Sequence, residues 1–257
     1  MKQKPLILLV NDDGVFSPGL RFLINVCKKI ARVYVVAPDK EQSGRSHAIT
    51  VDDKIILKEI KNSEIYSEFS CSGTPVDCVK LAVKKLGNKK PDLCISGINH
   101  GSNFSISTLY SATVHAAIEG TIQGIPSLAI SHLNYSNKID MSSYEEFLNI
   151  LIKYLLKKNI QKGVTLNINL PDISYDNIKG VKVCRQGKGT WIEKINSTNK
   201  ENEFFITGHF EPQEEKNDTD IWALSNSFIS IVPIKNDMTD YDYMQKKNTI
   251  EYDFQKR

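Results

Sequence analysis

The apolar positions fall into short unbroken runs separated by helical stripes. Leu6 to Val10 are five consecutive apolar residues, stopped abruptly by Asn11-Asp12-Asp13-Gly14. A run that short is a strand buried on both faces, not a helix. Ser17-Pro18 then starts a helix, with Leu20, Leu23, Ile24, Cys27 and Ile30 on one stripe. Val33 to Ala37 is a second buried strand. Strand, helix and strand within about 30 residues make a βαβ unit with parallel strands.

The same alternation continues. Ile55 to Ile60 and Ile65 to Phe69 flank a polar turn at Lys61 to Glu64, which predicts an antiparallel hairpin set into the α/β pattern. Thr74-Pro75 opens a helix with Val76, Val79, Val83 and Leu86 on one face, and Leu93 to Ser96 is the next strand. A helix is expected over Thr108 to Gly120, a strand over Pro126 to Ser131, an amphipathic helix around Phe147 to Leu155, and a strand over Val164 to Leu170. Beyond Pro171, strand-like pieces (Val181 to Cys184, Phe204 to Thr207, Phe228 to Val232) alternate with polar stretches, and a mostly polar tail follows from Lys235. The expected architecture is one domain over residues 1–257. It has an α/β core with a mostly parallel sheet over 1–180 and a β-rich excursion with a C-terminal tail over 181–257.

Composition narrows the class only slightly. The 257 residues are 40% hydrophobic and 25% charged, with a net charge of +3 and a pI near 8.4. Lys84-Lys85 and Lys157-Lys158 sit at expected helix ends, where cations suit the dipole, so no nucleic-acid polymer is expected as a partner. Five widely spaced cysteines without a CxxC pair suit reduced thiols in a cytoplasmic protein better than a disulfide framework or zinc site. No stretch approaches the length of a signal peptide core or membrane span, so no membrane partner is expected.

Candidate chemistry gathers at strand ends. Asp12 and Asp13 follow the first strand, Ser43-Gly44 lies in the loop after the second, and Asn99, His100 and Asn103 follow Leu93 to Ser96. Ligands of open parallel sheets bind beyond these carboxyl ends. Two adjacent acids repel unless a cation, a proton or backbone donors hold them, and Mg²⁺ or Mn²⁺ suits an all-oxygen set. The plainer account of Asn-Asp-Asp-Gly is an Asx-rich turn with Gly14 at positive φ. A helix start near Ser111 and Thr113 would favour phosphate, or is simply capped. Phosphoester hydrolysis is the chemistry such loops support best. There is no GxSxG elbow, Walker sequence or HxxxH pair, and loop histidines such as His47 and His100 are more often solvated side chains than catalysts.

In order along the chain, Asn11-Asp12-Asp13-Gly14, Ser17-Pro18-Gly19, Ala37-Pro38, Gln42-Ser43-Gly44, Ser72-Gly73-Thr74-Pro75 with Asp77, Ser96-Gly97-Ile98-Asn99, Gly101, Asn103, and Tyr110-Ser111 with Thr113 resemble the SurE family of stationary-phase survival nucleotidases. The resemblance covers most of residues 5–132, with weaker echoes at Thr207-Gly208 and Asp220 to Pro233. It implies a Rossmann-like three-layer fold and a metal-dependent phosphomonoesterase acting on nucleoside 5'-monophosphates, with 3'-monophosphates and short polyphosphate as further substrates. It also implies one Mg²⁺ or Mn²⁺ per subunit, held by Asp12, Asp13, Ser43 and Asn99, with Asp12, Asp13 and Asn99 catalytic. Asn11, Gly44, Asn103, Ser111 and Thr113 would meet the substrate phosphate. A homodimer or homotetramer that exchanges C-terminal segments is implied as well.

Two positions depart from the family pattern, Ala112 and His115, where glycine is usual, and Asp218-Thr219-Asp220 stands in place of Gly-Thr-Asp. His115 would narrow the pocket, add a cation or face elsewhere. The competing account is a non-catalytic, metal-dependent nucleotide-binding module on the same scaffold. A receiver-type phosphoacceptor fails on length and on the missing acceptor Asp and Lys.

Overall fold

The computed structural model describes residues 4–136, 140–214 and 216–245. The polar tail beyond 245 lies outside the described residues. β1 (Leu6–Val10), α1 (Pro18–Lys28), β2 (Arg32–Pro38), β3 (Leu57–Asn62), β4 (Tyr66–Cys71), α2 (Pro75–Leu86), β5 (Leu93–His100), α3 (Ala112–Ile122), β6 (Ser127–His132), α4 (Glu145–Lys158) and β7 (Val164–Leu170) build the core. β8 (Gly180–Val183), β9 (Gly189–Ser197), β10 (Phe204–Pro212), α5 (Asp220–Ser225), β11 (Phe228–Lys235) and α6 (Tyr241–Gln245) follow.

Among the described residues nine strands form one sheet in the order β3-β4-β2-β1-β5-β6-β7-β11-β8, parallel from β4 through β7. The chain proceeds from β1 to β2 and β4 in one direction, then returns to lay β5, β6 and β7 on the other side. The strand order therefore reverses between β1 and β5, and a crevice opens beyond their carboxyl ends. All five β1 side chains are buried. Ile7 and Leu9 join the core formed with α1 and α4, while Leu8 and Val10 join the opposite core with α2 and α3. That two-sided burial is why β1 is apolar throughout instead of alternating.

Local chemistry sets the helix starts. Thr74 and Asp77 form a reciprocal capping box on α2, and Asp77 also accepts from the Thr50 amide and hydroxyl. α3 begins at Ala112, not Thr108. Ser105–Leu109 is a separate 3-10 helix, and the extended backbone of Ser111 breaks the run while its hydroxyl accepts from Val114 N. The expected hairpin before α2 is shifted toward the C-terminus: a bulge at Glu59 to Lys61 carries β3 through Asn62, and β4 joins β2 as a sheet strand.

The region after residue 180 divides in two. β8 and β11 return to the main sheet, β11 antiparallel to β7, and only β9 and β10 stand apart as a two-stranded hairpin. Among the described residues the part that leaves the main sheet is the β9–β10 hairpin. β8 has no buried residue and β11 mixes buried and exposed positions, so apolar spacing did not separate β8 and β11 from the hairpin. Among the described residues no helix is long and apolar enough to cross a membrane.

Gly19 in the first turn of α1 seats that helix on the end of β5, where an added Cβ would lie 2.1 Å from Ile98 O. Gly19→Ala is expected to destabilise the fold by about 1–3 kcal/mol, as overpacking does. Urea unfolding of the purified variant checks this, and an unchanged midpoint would remove the close approach as a constraint.

Candidate functional site

The first two strand-end loops clasp each other before any side chain is placed. Val15 N donates to Pro38 O and Gln42 N donates to Asp12 O, both at 2.8 Å, which brings the Ser43 loop beside the acids. Gly14 turns the first loop at φ +97°, a conformation that side chains with Cβ resist. Ser46 then fastens the second loop to the start of α3, its amide and hydroxyl donating to Tyr110 O and Leu109 O at 3.2 and 2.9 Å.

These loops border a cleft of about 1020 Å³ at the sheet's reversal point. Asp12, Asp13, Ser43, Gly44, Asn99, Asn103 and Ser111 all line it. The Thr113 hydroxyl donates to Asp12 Oδ1. Asp13 Oδ2 meets His100 Nδ1 at 3.2 Å and the His100 amide at 3.4 Å. The Asn99 amide nitrogen donates to Gly101 O at 2.8 Å, which spends that end and leaves the oxygen to act as a ligand. Ser43 Oγ donates to Glu41 at 2.9 Å and keeps its lone pairs.

Burial and then the neighbouring charge of Asp13 push Asp12 up from 3.8 to about 7, although Thr113 favours the ionised form. A divalent cation would remove that penalty at once, and the four expected ligands, Asp12, Asp13, Ser43 and Asn99, all offer oxygen. The residues present fit a hard metal such as Mg²⁺ or Mn²⁺. Among the described residues no group of three or more His, Cys, Asp or Glu is arranged to hold a metal.

Two of the expected phosphate contacts are placed elsewhere. Asn11 is fully buried and donates to Gly14 O and Ser17 Oγ at 2.9 and 2.7 Å, so it braces the first loop from beneath. Thr113 is also fully buried, and its hydroxyl is spent on Asp12. Asn103 lines the cleft, but its amide nitrogen donates to Ser131 Oγ at 2.7 Å, and its backbone N–H donates to Asn169 at 2.8 Å. Ser111 borders the cleft as the cap of α3.

His115 faces away from the cleft. Its ring meets His47 edge-on at 5.3 Å, and Nδ1 lies 2.8 Å from Ser111 O. Burial, with help from His47, holds it below the ordinary imidazole range, so at neutral pH it carries no charge toward a phosphate. His47 also touches Glu119, which burial pushes up but hydrogen bonds from His47, Lys80 and Gln123 hold at about 2.

Sequence reasoning placed His100 in a site loop but favoured a solvated side chain, and it missed the hairpin. The His100 side chain is 6% exposed, because Asp13 draws it inward; the signal was its position one residue after Asn99. Trp191, Glu193, Ile206, Thr207 and Gly208 of the hairpin also line the cleft. Asp220 fixes the hairpin's root: fully buried, it accepts from the amides of Ser105, Gly187 and Ile221 at 2.8 to 2.9 Å. Asp218, where glycine was the usual residue, pairs with Arg185 alongside Glu214.

Residues 7–193 match the family described as Survival protein SurE. A Flavobacterium johnsoniae protein named 5'-nucleotidase SurE is 45% identical over 251 residues, spanning 96% of this chain and 97% of that one. Its namesake from Christiangramia forsetii is 45% identical over 249 residues, with 95% and 96% covered. The crystal structure of the SurE protein from Aquifex aeolicus superposes with a TM-score of 0.82 at 36% identity, covering 96% of this chain and 99% of that one.

Because Asp12 holds its proton longer in the folded protein than in the unfolded chain, its contribution to stability is fully present below its ordinary value of 3.8 and is lost as pH rises toward about 7. Chelator-treated wild type should therefore lose thermal stability relative to Asp12→Asn over that interval, with the difference levelling off above it. Adding Mg²⁺ above neutrality should restore the wild type and not the variant. A difference that is constant with pH would remove the charge repulsion.

Proposed function

The chain belongs to the SurE family, and on that footing we propose that it is a metal-dependent phosphomonoesterase that hydrolyses nucleoside 5'-monophosphates to nucleoside and phosphate. The observation that carries this is the Asp12-Asp13 pair at the end of a buried strand, in a cleft that also receives the start of α3. Relatives named 5'-nucleotidase SurE at nearly full length supply the substrate class.

Asp12, Asp13, Ser43 and Asn99 would hold one Mg²⁺ or Mn²⁺ per subunit. When bound, such an ion supplies Lewis acidity toward a phosphoryl oxygen and a water made nucleophilic at neutral pH. Asp12, Asp13 and Asn99 are the catalytic residues of this proposal. Thr113 fixes the orientation of Asp12, and His100 fixes that of Asp13. The start of α3, which borders the cleft at Ser111, would meet the phosphate and stabilise charge that develops on it during in-line displacement. Gly44, Asn103 and Ser111 border the phosphate, with Asn11 and Thr113 acting from behind the wall.

An open cleft of this volume also suits nucleoside 3'-monophosphates and short polyphosphate as further substrates. The non-catalytic binding alternative drew on His115, and a neutral His115 turned toward His47 gives it no support. Five buried free thiols support a cytoplasmic setting. Exposed Ile195, Phe204 and Phe205 on the hairpin support a homodimer or homotetramer built through the C-terminal region. Neither a membrane nor a nucleic-acid polymer belongs to the proposal.

Phosphate release from a panel of nucleoside monophosphates tests it directly. Chelator-stripped protein should be inactive and regain turnover with Mg²⁺ or Mn²⁺, while Asp12→Asn should lose roughly 100-fold or more. Folded, nucleotide-binding protein that releases nothing across the panel with either metal would overturn the hydrolase.

A further inference from the structure

The β9–β10 hairpin forms one wall of the cleft, yet phosphate chemistry at Asp12 and Asp13 makes no demand on it. Cross-strand register pairs Trp191 with Phe210, Glu193 with Gly208, and Ile195 with Ile206, so these residues share one hairpin face. Trp191, Glu193, Ile206 and Gly208 place that face against the cleft.

The indole is held in place by its surroundings. Its Nε1–H donates to Ser107 Oγ at 3.2 Å, and its ring meets Phe210 edge-on at 6.5 Å. Phe210 in turn meets Phe104 at 5.1 Å, close to edge-on. The polar edge of Trp191 is thus satisfied and the ring is backed, but 37% of the residue stays exposed. A large flat ring already ordered before a ligand arrives loses little entropy on stacking. Ser107 belongs to the 3-10 helix Ser105–Leu109, which leads within four residues to Ser111 at the start of α3. One short segment therefore fixes both the indole and the phosphate end of the cleft.

From this geometry we infer that Trp191 is the stacking platform for the nucleobase, the residue that separates nucleotides from base-free sugar phosphates. The inference rests on the proposed phosphomonoesterase and deepens it. Ring stacking on an aromatic side chain is tolerant of base identity, because every base has a π face. Trp191 accordingly sets a preference for nucleotides as a class, not for one base.

Steady-state phosphate release from adenosine 5'-monophosphate and from ribose 5-phosphate tests it, with Trp191→Ala and Trp191→Phe beside the wild type. Trp191→Ala should lower kcat/KM on the nucleotide roughly 10-fold or more, mostly through KM, and change ribose 5-phosphate by less than about 2-fold. Trp191→Phe should recover most of the loss. An equal loss on both substrates, or no loss on either, overturns the platform.

A second readout does not depend on turnover. The chain has two tryptophans, and Trp222 stacks on Phe228 outside the cleft, so Trp222→Phe leaves Trp191 as the single indole emitter. Its emission should be quenched by adenosine 5'-monophosphate and not by ribose 5-phosphate; equal responses overturn the inference. If the wild type releases phosphate from neither compound, the proposed hydrolase fails, while the emission titration still decides whether a base stacks on Trp191.

Discussion

Two carboxylates, one buried and one partly buried, stand side by side at the end of β1. Asp12 lies almost entirely inside the protein with Asp13 next to it, and like charges at that range in a poorly polarisable setting are costly. Much of the surrounding structure answers that cost. Thr113 reaches from α3 to one acid, His100 reaches from the end of β5 to the other, and Asn11 braces the loop beneath them. The sheet's reversal between β1 and β5 is what allows groups from three elements to converge, because no connection crosses the crevice there.

The core and the loops that border the cleft were legible in the sequence for one physical reason. Buried parallel strands must be apolar on both faces, so Leu6 to Val10 and Val33 to Ala37 announce themselves, and whatever follows them lies at the crevice. Side-chain direction is not encoded in that way. Asn11 and Asp12 are neighbours, yet one points beneath the loop and the other into the cleft, because successive residues at a strand end project to opposite sides. Thr113 could not be assigned to Asp12 from spacing, since their meeting depends on how α3 lies across the sheet. His115 was ambiguous for the same reason, and its partnership with His47 joins a loop and a helix 68 residues apart.

The C-terminal part was harder because its strands mix apolar and polar residues, β9 and β10 being mostly exposed. β11 joins the main sheet antiparallel to β7, and β8 follows it as an edge, while β9 and β10 leave the sheet altogether. None of the four has the unbroken apolar run that marks β1. What separates them is tertiary: the buried Asp220 and the Arg185 pairs with Glu214 and Asp218 turn the chain out at one point and bring it back at nearly the same place.

Asp220 binds amides from Ser105, Gly187 and Ile221, three points far apart in sequence. A hairpin fastened at its root in this way is a cantilever. The joint sets the angle of the beam, and the free end carries no load from the chemistry. The turn at residues 198–203 can therefore gain or lose residues with little consequence for the cleft, whereas a shift of a fraction of an ångström at the joint would tilt the whole wall.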